Sequence, residues 1–335
     1  MTSTTGASVA DEFPGPEGRP PLTGDGASTG RVGDRVFKWI AYGSGFVVVV
    51  VVALVAIFLV VQAVPAIAQD KANFFTSTQF STSPLAFGIA QLLWTTVMTS
   101  LVALVIAVPF AIAISLFLTQ YAPSWLAKPA AALIDLLAAV PSIVYGLWGA
   151  YIVAPKFGPV QHFLQDVLGW LPLFKPVATV TEQANIFFVG VILAIMILPI
   201  ITAITREVFA QTPATHKEAA YALGATRWEM LRMAVLPFGK PGIISASMLG
   251  LGRALGETIA VYYILSTLPD GSKFIVSLFN GGSTFASQIA GNYAEFTGGT
   301  STGAYIAAGL VLFVLTFVVN AVARVIIERR KAFSE

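Results

Sequence analysis

The sequence predicts an all-α integral membrane protein with six spanning helices. Of its 335 residues, 56% are hydrophobic and only 11% are charged, whereas about 25% charged residues is usual in a soluble domain. A helix that crosses a bilayer needs about 20 predominantly apolar residues, and the chain contains six windows of this kind. The windows are residues 38–66, 89–118, 128–153, 185–205, 242–268 and 304–326.

The composition excludes several kinds of chemistry. No cysteine is present, so disulfides, thiolate nucleophiles and cysteine-based metal sites are ruled out. His162 and His216 lack the spacing of a helical metal site, and we expect no bound metal. A formal net charge of +2 is too small to indicate a nucleic-acid-binding surface.

The distribution of positive charge predicts how the chain crosses the membrane. With the amino terminus inside, fourteen of the 19 Lys and Arg residues lie on the inner side and Arg253 lies within a span. The outer side holds Lys71, Lys156, Lys175 and Lys273. Because cytoplasmic segments carry the excess of Lys and Arg, we expect both termini in the cytoplasm.

These patterns divide the chain into four regions. Residues 1–35, rich in Pro, Gly, Ser and Thr, predict a disordered cytoplasmic tail, because they have too little apolar content to pack. Residues 36–88 hold the first span and an outer loop, and residues 89–327 form the main membrane domain. That domain contains a long basic inner loop at 206–240, and residues 328–335 form a cytoplasmic tail.

The outer loop before the sixth span is too rich in glycine to cross the membrane. It contains Gly281, Gly282, Gly291, Gly298 and Gly299. We expect this loop to be mobile or to be ordered by a partner.

The inner loop between the fourth and fifth spans predicts two short helices. Thr215 with Glu218, and Thr226 with Glu229, both have the Thr-x-x-Glu spacing of a capping box. In that motif the hydroxyl and the carboxylate each satisfy a backbone N–H that has no partner within the helix. Each pair therefore predicts a helix start.

Three further residues predict where these two helices begin and end. Pro213 is placed as a first-turn proline, and Gly224 lies where a left-handed residue would end the first helix. Pro237 is expected to stop the second helix. A projecting pair of helices is either a docking element for another protein or a solvated connector, and local sequence alone leaves both open.

This segment resembles the EAA loop in permease subunits of binding-protein-dependent ABC importers. The family pattern is Glu-Ala-Ala, three residues, Gly, nine residues, Ile, any residue, and Leu-Pro. It is matched at Glu218, Ala219, Ala220, Gly224, Leu236 and Pro237, with Ala234 at the isoleucine position. The resemblance implies a six-helix type I permease fold, a permease domain at 89–327, and a coupling loop that docks on an ATPase subunit.

Two other runs make the resemblance more specific. Residues 251–261 and 141–146 resemble phosphate-specific transport permeases, more closely the PstC type than the PstA type, and the likeness covers about residues 70–330. It implies a phosphate importer in a bacterial inner membrane. The implied partners are a PstA-type permease, two PstB-type ATPase subunits and an extracytoplasmic phosphate-binding protein. Another oxyanion, such as sulfate or molybdate, is the alternative substrate.

The fifth span contains two charged residues. An ionised side chain at mid-bilayer costs about 2.5–3.5 kcal/mol on insertion scales and usually faces a bundle interior or a water-filled path. Arg253 and Glu257 are four residues apart, which would place them on one face of one helix. We favour Arg253 as a path residue whose guanidinium contacts phosphate oxygens while Glu257 holds it in place. A structural ion pair between two permease subunits is the alternative.

The same span is rich in small residues. Gly252 and Gly256 form a Gly-x-x-x-Gly pair. A second ridge consists of Gly242, Ala246, Gly250 and Ala254. Small residues at these spacings predict close approach to other helices.

Three residues in other spans also require an explanation. Asp135 could line the path, bond to another helix, or stay hydrated near the cytoplasmic surface, and we favour the last two together. Pro109 and Pro141 are expected to bend their spans, because proline cannot donate a backbone hydrogen bond.

The sequence argues against an enzyme. No Gly-x-x-x-x-Gly-Lys-Ser/Thr loop, activated nucleophile or metal cluster is evident. We therefore expect no cofactor in this chain, with ATP and magnesium bound by the partner ATPase. A channel or signalling scaffold is a third class, but it has no reason to carry a coupling loop.

Overall fold

The computed structural model describes residues 29–82, 85–177, 183–269, 271–296 and 298–331. These residues are helical apart from one short hairpin and the connecting loops. The helices are α1 Thr29–Gln69, α2 Ala90–Leu116, α3 Ser124–Ala138, α4 Ser142–Trp148, α5 Ala154–Leu168, α6 Ile186–Ala210, α7 Ala214–Ala222, α8 Arg227–Met230, α9 Leu236–Leu255, α10 Ile259–Ile264, α11 Phe285–Gly291 and α12 Gly299–Lys331. The π-helical segments are Phe117–Tyr121, Gly149–Val153 and Leu231–Val235, and 3-10 turns lie at Pro172–Phe174 and Tyr293–Glu295. Strands β1 Phe80–Thr82 and β2 Leu85–Phe87 pair antiparallel, with Phe80 opposite Phe87.

The chain divides into two compact units, residues 1–55 and 56–335. The described part of the first unit is the beginning of α1, which starts at Thr29. Residues 29–35 of the predicted amino-terminal tail are therefore helical, and residues 1–28 lie outside the described residues. At the other terminus α12 continues to Lys331, so the start of the predicted carboxyl-terminal tail is helical as well.

The spans agree with the hydropathy windows in number, but not all are continuous. In the described residues, five helical segments are long and apolar enough to cross a bilayer. A sixth span is obtained if a bent pair, Ser124–Ala138 with Ser142–Leu168, is counted as one. The two members of this pair meet at 90°.

Proline explains the bend in the third span. Pro141 stands immediately before α4, as predicted, and it cannot donate the backbone hydrogen bond that would continue α3. The second half of the span runs to Leu168, well beyond the predicted end at 153. Helix α2, in contrast, is continuous through Pro109.

Helix α6 forms the centre of the second unit. It packs most extensively on α2, and also on α9 and α3. Its Ile192, Leu193 and Ile197 side chains are fully or almost fully buried. A Cβ atom at Gly190 would lie 2.5 Å from Cγ1 of Val102, so α2 and α6 approach each other at close range.

The small-residue ridge predicted for the fifth span lies on α9 and faces α6. A Cβ atom at Gly242 would lie 2.5 Å from Cγ2 of Val208, and one at Gly250 would lie 2.8 Å from Cδ1 of Ile201. Ala246, between the two glycines, is buried. The predicted close helix approach is confirmed for this ridge.

The outer loop before α12 is held by the chain itself. Residues 277–282 are buried. The Ile186 and Phe187 N–H groups donate to the carbonyl oxygens of Asn280 (3.0 Å) and Leu278 (2.8 Å). These bonds satisfy two of the first backbone donors of α6, which have no partner within the helix. The expectation that this stretch is mobile or ordered by a partner is wrong for residues 277–282.

Candidate functional site

The inner loop folds as two helices that break at Gly224. Helix α7 ends at Ala222 and Gly224 has a φ of +79°, a left-handed conformation that favours glycine. Thr226 and Glu229 form the predicted capping box at the start of α8. The Thr226 N–H donates to Glu229 Oε2 at 2.8 Å, and the Glu229 N–H donates to Thr226 Oγ1 at 3.4 Å.

Two details of this loop differ from the prediction. Helix α7 begins at Ala214 with Pro213 as its N-cap, and no side chain caps it, so the Thr215–Glu218 capping box is wrong. Pro237 does not stop the second helix, because it lies in the first turn of α9. A proline is tolerated in a first turn, and the wider π-helical turn Leu231–Val235 comes just before it.

The coupling segment, residues 212–237, has a buried side and an exposed side. Ala220 packs in a small apolar cluster with Met230 and Leu231. The other predicted coupling residues are exposed or half-buried: Glu218, Ala219, Gly224, Leu236 and Pro237. Exposed large apolar side chains lie on the same segment: Leu223, Trp228 and Met233. An open cleft of about 510 Å³ separates α7 from the start of α9.

The fifth span is interrupted between Arg253 and Glu257. Helix α9 ends at Leu255 with Gly256 as its C-cap, and α10 begins at Ile259. Glu257 is only 8% exposed, and its Oε1 accepts a hydrogen bond from the Ala260 N–H at 3.0 Å. This bond stabilises the start of α10. Glu257 therefore lies between two helices.

The prediction that Arg253 and Glu257 share one helical face is therefore wrong. In the part of the chain that the structure describes, the two side chains form no ion pair. The hydropathy of the window hid the interruption, since the stretches 254–255 and 259–261 on either side of it are apolar. The role of both residues in a transport path stays a prediction.

Arg253 lines an open cleft between α6, α9 and α12. The cleft has a volume of about 660 Å³, and its polar lining includes Ser245 and Asn320. A Cβ atom at Gly252 would meet no atom within 4 Å, and one at Gly256 would meet only the Gly252 carbonyl oxygen, at 3.7 Å. An added Cβ atom on either member of the Gly-x-x-x-Gly pair would therefore meet no other described helix.

The two interrupted spans touch close to their breaks. A Cβ atom at Gly146 of α4 would lie 2.8 Å from the Cα of Ala260 of α10. Next to it, the Tyr145 hydroxyl donates to the Leu137 carbonyl oxygen at 2.9 Å and so bridges the bend between α3 and α4. Interrupted helices at membrane depth are typical of transporter binding sites.

Asp135 has a partner on another helix. Its Oδ2 lies 3.3 Å from Nη2 of Arg206, which joins α3 to the last turns of α6. The Asp135 side chain is 52% exposed and that of Arg206 is 22% exposed. The predicted bond from Asp135 to another helix is confirmed. The exposure of its side chain agrees with the predicted hydrated position.

Asn320 and Ser245 were not singled out from the sequence. Asn320 is the one amide in the window 304–326, and an isolated polar side chain in a span is a signal that could have marked it. Ser245 gives no comparable signal, because serine is common on packed membrane helices. The nearness of Asn320 to Arg253 depends on how α9 and α12 meet, which periodicity does not reveal.

Comparison with known proteins identifies the family. Residues 107–332 match the family described as "Binding-protein-dependent transport system inner membrane component". The chain is 53% identical to "Phosphate transport system permease protein PstC 2" of Mycobacterium tuberculosis, over 92% of this chain and 96% of that protein. The chain belongs to this family, within its PstC type. It is therefore a multi-pass membrane subunit of a bacterial ABC transporter that works with other subunits.

Other relatives carry similar names. The chain is 52% identical to "Phosphate transport system permease protein PstC" of Mycobacterium leprae, over 88% of this chain and 92% of that protein. Identity to the protein of the same name in Pasteurella multocida is 43%, over 70% of this chain and 72% of that protein. A chain of the inward-facing MetNI methionine ABC transporter superposes with a TM-score of 0.49 at 17% identity, covering 72% of this chain and 94% of that chain.

Proposed function

We propose that this chain is the PstC-type permease subunit of an ATP-driven phosphate importer. It forms half of the translocation path and transmits movements of an ATPase through the coupling segment. The observation that carries the proposal is the position of Arg253 in an open cleft at the interrupted fifth span. The names of the relatives favour phosphate over the alternative of sulfate or molybdate.

Arg253 has the chemistry that an oxyanion path needs. Its guanidinium is always charged and presents five N–H donors in a planar fork that matches the oxygens of phosphate. In the described residues it has no carboxylate partner that would neutralise it. An anion in the cleft would therefore meet an available positive charge at membrane depth.

The open face of α9 suits a second permease subunit. Ser245, Leu249, Gly252 and Gly256 follow one another at helical spacing and are exposed or half-buried. The opposite face of the helix is buried against α6. A PstA-type permease opposite this open face would close the cleft and complete the path.

The coupling segment suits an ATPase subunit. Leu223, Trp228 and Met233 expose apolar surface on a segment that is fixed by the Gly224 turn and the Thr226 cap. Apolar side chains on a short helical element are typical of a surface that fits a groove on a partner. We propose that two PstB-type subunits bind ATP and magnesium and that one of them docks here. An extracytoplasmic phosphate-binding protein would deliver the substrate, with both termini of this chain in the cytoplasm.

Reconstitution tests this proposal. The chain would be coexpressed with PstA-type and PstB-type subunits, purified, and placed in proteoliposomes with the binding protein and radiolabelled phosphate. We expect uptake that requires ATP and the binding protein and that sulfate or molybdate does not inhibit. Uptake of sulfate or molybdate instead of phosphate would overturn the substrate. If the ATPase does not copurify with the chain, the importer role is wrong.

A further inference from the structure

A second cleft continues the Arg253 cleft along α9 and α12. It has a volume of about 410 Å³ and shares three lining residues with the first cleft, Ser245, Met248 and Asn320. From there it extends to Arg324 and Glu328 on α12. We call the two clefts together the α9/α12 groove.

The groove is long enough to carry an ion through a large part of one leaflet. Ser245 and Arg253 are eight residues apart on α9, which corresponds to about 12 Å along the helix axis. On α12, Asn320 and Arg324 are one turn apart, about 6 Å. The groove leads from Arg253 toward the beginning of α9 and the end of α12, which are the ends predicted to face the cytoplasm.

Polar side chains in the groove are exposed in spanning helices. Ser245 and Asn320 are both exposed, and neither forms a hydrogen bond within the described residues. An unsatisfied polar group in hydrocarbon costs several kcal/mol, so such a surface does not face lipid tails. It needs water, a partner or a polar substrate.

We propose that the α9/α12 groove is the inner half of the phosphate path, with Asn320 and Arg324 as successive oxyanion contacts after Arg253. This inference rests on the proposed function. The Asn320 amide and the Ser245 hydroxyl can donate hydrogen bonds to phosphate oxygens, and the Arg324 guanidinium supplies a second charged fork.

The charge pattern along the groove also favours release. Glu328 follows Arg324 by one helical turn and lines the same cleft, without forming an ion pair with it in the described residues. Its carboxylate repels an anion bound at Arg324, because the carboxylate and the anion carry like charges at this spacing. Glu328 therefore weakens the hold of Arg324 on the anion. A path must bind its ion strongly enough to admit it and weakly enough to let it leave. The groove provides a gradient in how strongly the ion is bound, from Arg253 through Asn320 to Arg324 followed by Glu328.

Thiol labelling tests the groove directly, because the chain contains no cysteine. Asn320→Cys and Ser245→Cys are each introduced into the chain and assembled with all partner subunits in inside-out vesicles. The probes are two methanethiosulfonate reagents, one with an anionic sulfonate and one with a cationic trimethylammonium group. Val322→Cys is the matched control, because it lies on the opposite side of α12, is exposed, and lines neither cleft.

We expect Asn320→Cys and Ser245→Cys to react faster with the sulfonate reagent and to be protected by inorganic phosphate. Removing the charge in the Asn320→Cys background with Arg324→Gln should lower the sulfonate-to-ammonium rate ratio by about tenfold. The reason is that a unit charge about 6 Å away in water alters each rate by about threefold, in opposite directions. Val322→Cys should react with neither reagent, because it lies outside both clefts of the groove.

A second sensor separates this inference from the proposed function. Gly252→Cys lies beside Arg253, where an added Cβ meets no atom. If phosphate protects Gly252→Cys while Asn320→Cys is unreactive or unprotected in the assembled transporter, the groove is covered by a partner helix and the inference is wrong, although the proposed function stands. If phosphate protects neither and Arg253→Gln retains uptake, both are wrong. Uptake by Arg324→Gln should fall at least about threefold, the effect of losing one unit charge about 6 Å from the ion in water, whereas Lys128→Gln, which removes an exposed charge outside the groove, should leave it unchanged.

Discussion

Gly146 and Ala260 lie so close together that a methyl group at position 146 would lie 2.8 Å from the Cα of Ala260. Their helices, α4 and α10, each follow an interruption of a span. The absence of a side chain at Gly146 therefore allows the second halves of two broken helices to touch. A contact of this kind holds α4 and α10 together through backbone packing.

The Gly146→Ala variant should be destabilised. The added methyl group meets backbone, which cannot rotate away, and overpacking of this kind costs about 1–3 kcal/mol. The measurement is the Tm of the purified complex. Gly45→Ala is the control, since Gly45 is also within a helix but an added Cβ there meets nothing within 4 Å. Equal Tm values for the two variants would contradict the tight contact.

Local motifs in the sequence predicted local structure well. The left-handed Gly224 and the Thr226 capping box depend on a few neighbouring residues, and both occur where they were expected. The small ridge of α9 was also predictable, because helical spacing places its members on one side. The first capping box was wrong because α7 has Pro213 as its N-cap and so starts two residues too early for Thr215 to serve as the cap.

Longer-range features could not be obtained from the same signals. Hydropathy reports that residues are apolar but not whether the helix continues, so the interruption after Leu255 was missed. Pro237 looked like a helix stop, but the preceding π-helical turn changes the local hydrogen bonding, and the helix continues. The groove near Asn320 requires α9 and α12 to meet, which is a property of the fold and not of either helix alone.

The Asp135–Arg206 pair should contribute modestly to stability. Because Asp135 is 52% exposed, removing its charge with Asp135→Asn should cost about 0.2–1 kcal/mol. Asp135→Lys places two cations together and should cost more, and adding Arg206→Glu should restore part of the loss. Tm values for the single and double variants give the coupling energy. Asp166→Lys on α5 is the control for reversing an exposed charge. The pair has no role if the double variant loses as much stability as the two single variants lose together.

The Gly224 turn should control coupling through backbone conformation. A Cβ atom there meets nothing within 4 Å, so substitution causes no clash, but a φ of +79° costs a β-branched residue about 1–2 kcal/mol. Gly224→Val should therefore reduce ATP-driven uptake and ATPase copurification while the chain still inserts. Asparagine tolerates this conformation, so Gly224→Asn should stay close to wild type. Identical behaviour of the two variants would show that the turn does not transmit coupling.

We expect transport to require the positive charge of Arg253. Arg253→Gln removes the positive charge and the fork, and phosphate uptake by assembled complex should fall by at least tenfold. Arg253→Lys keeps a charge without the planar geometry, so partial uptake is expected. The readout is radiolabelled phosphate uptake divided by the amount of complex in the membrane, which corrects for losses in assembly.

Glu257 provides the comparison that separates a path residue from a structural ion pair. Glu257→Gln removes the charge but keeps an oxygen that can accept from the Ala260 N–H, so the start of α10 should survive. A structural pair predicts equal loss of assembly in Arg253→Gln and Glu257→Gln, because each leaves one charge unpaired. A path-lining Arg253 predicts normal assembly of both variants and a larger loss of uptake in Arg253→Gln. Wild-type uptake by Arg253→Gln would exclude Arg253 from the path.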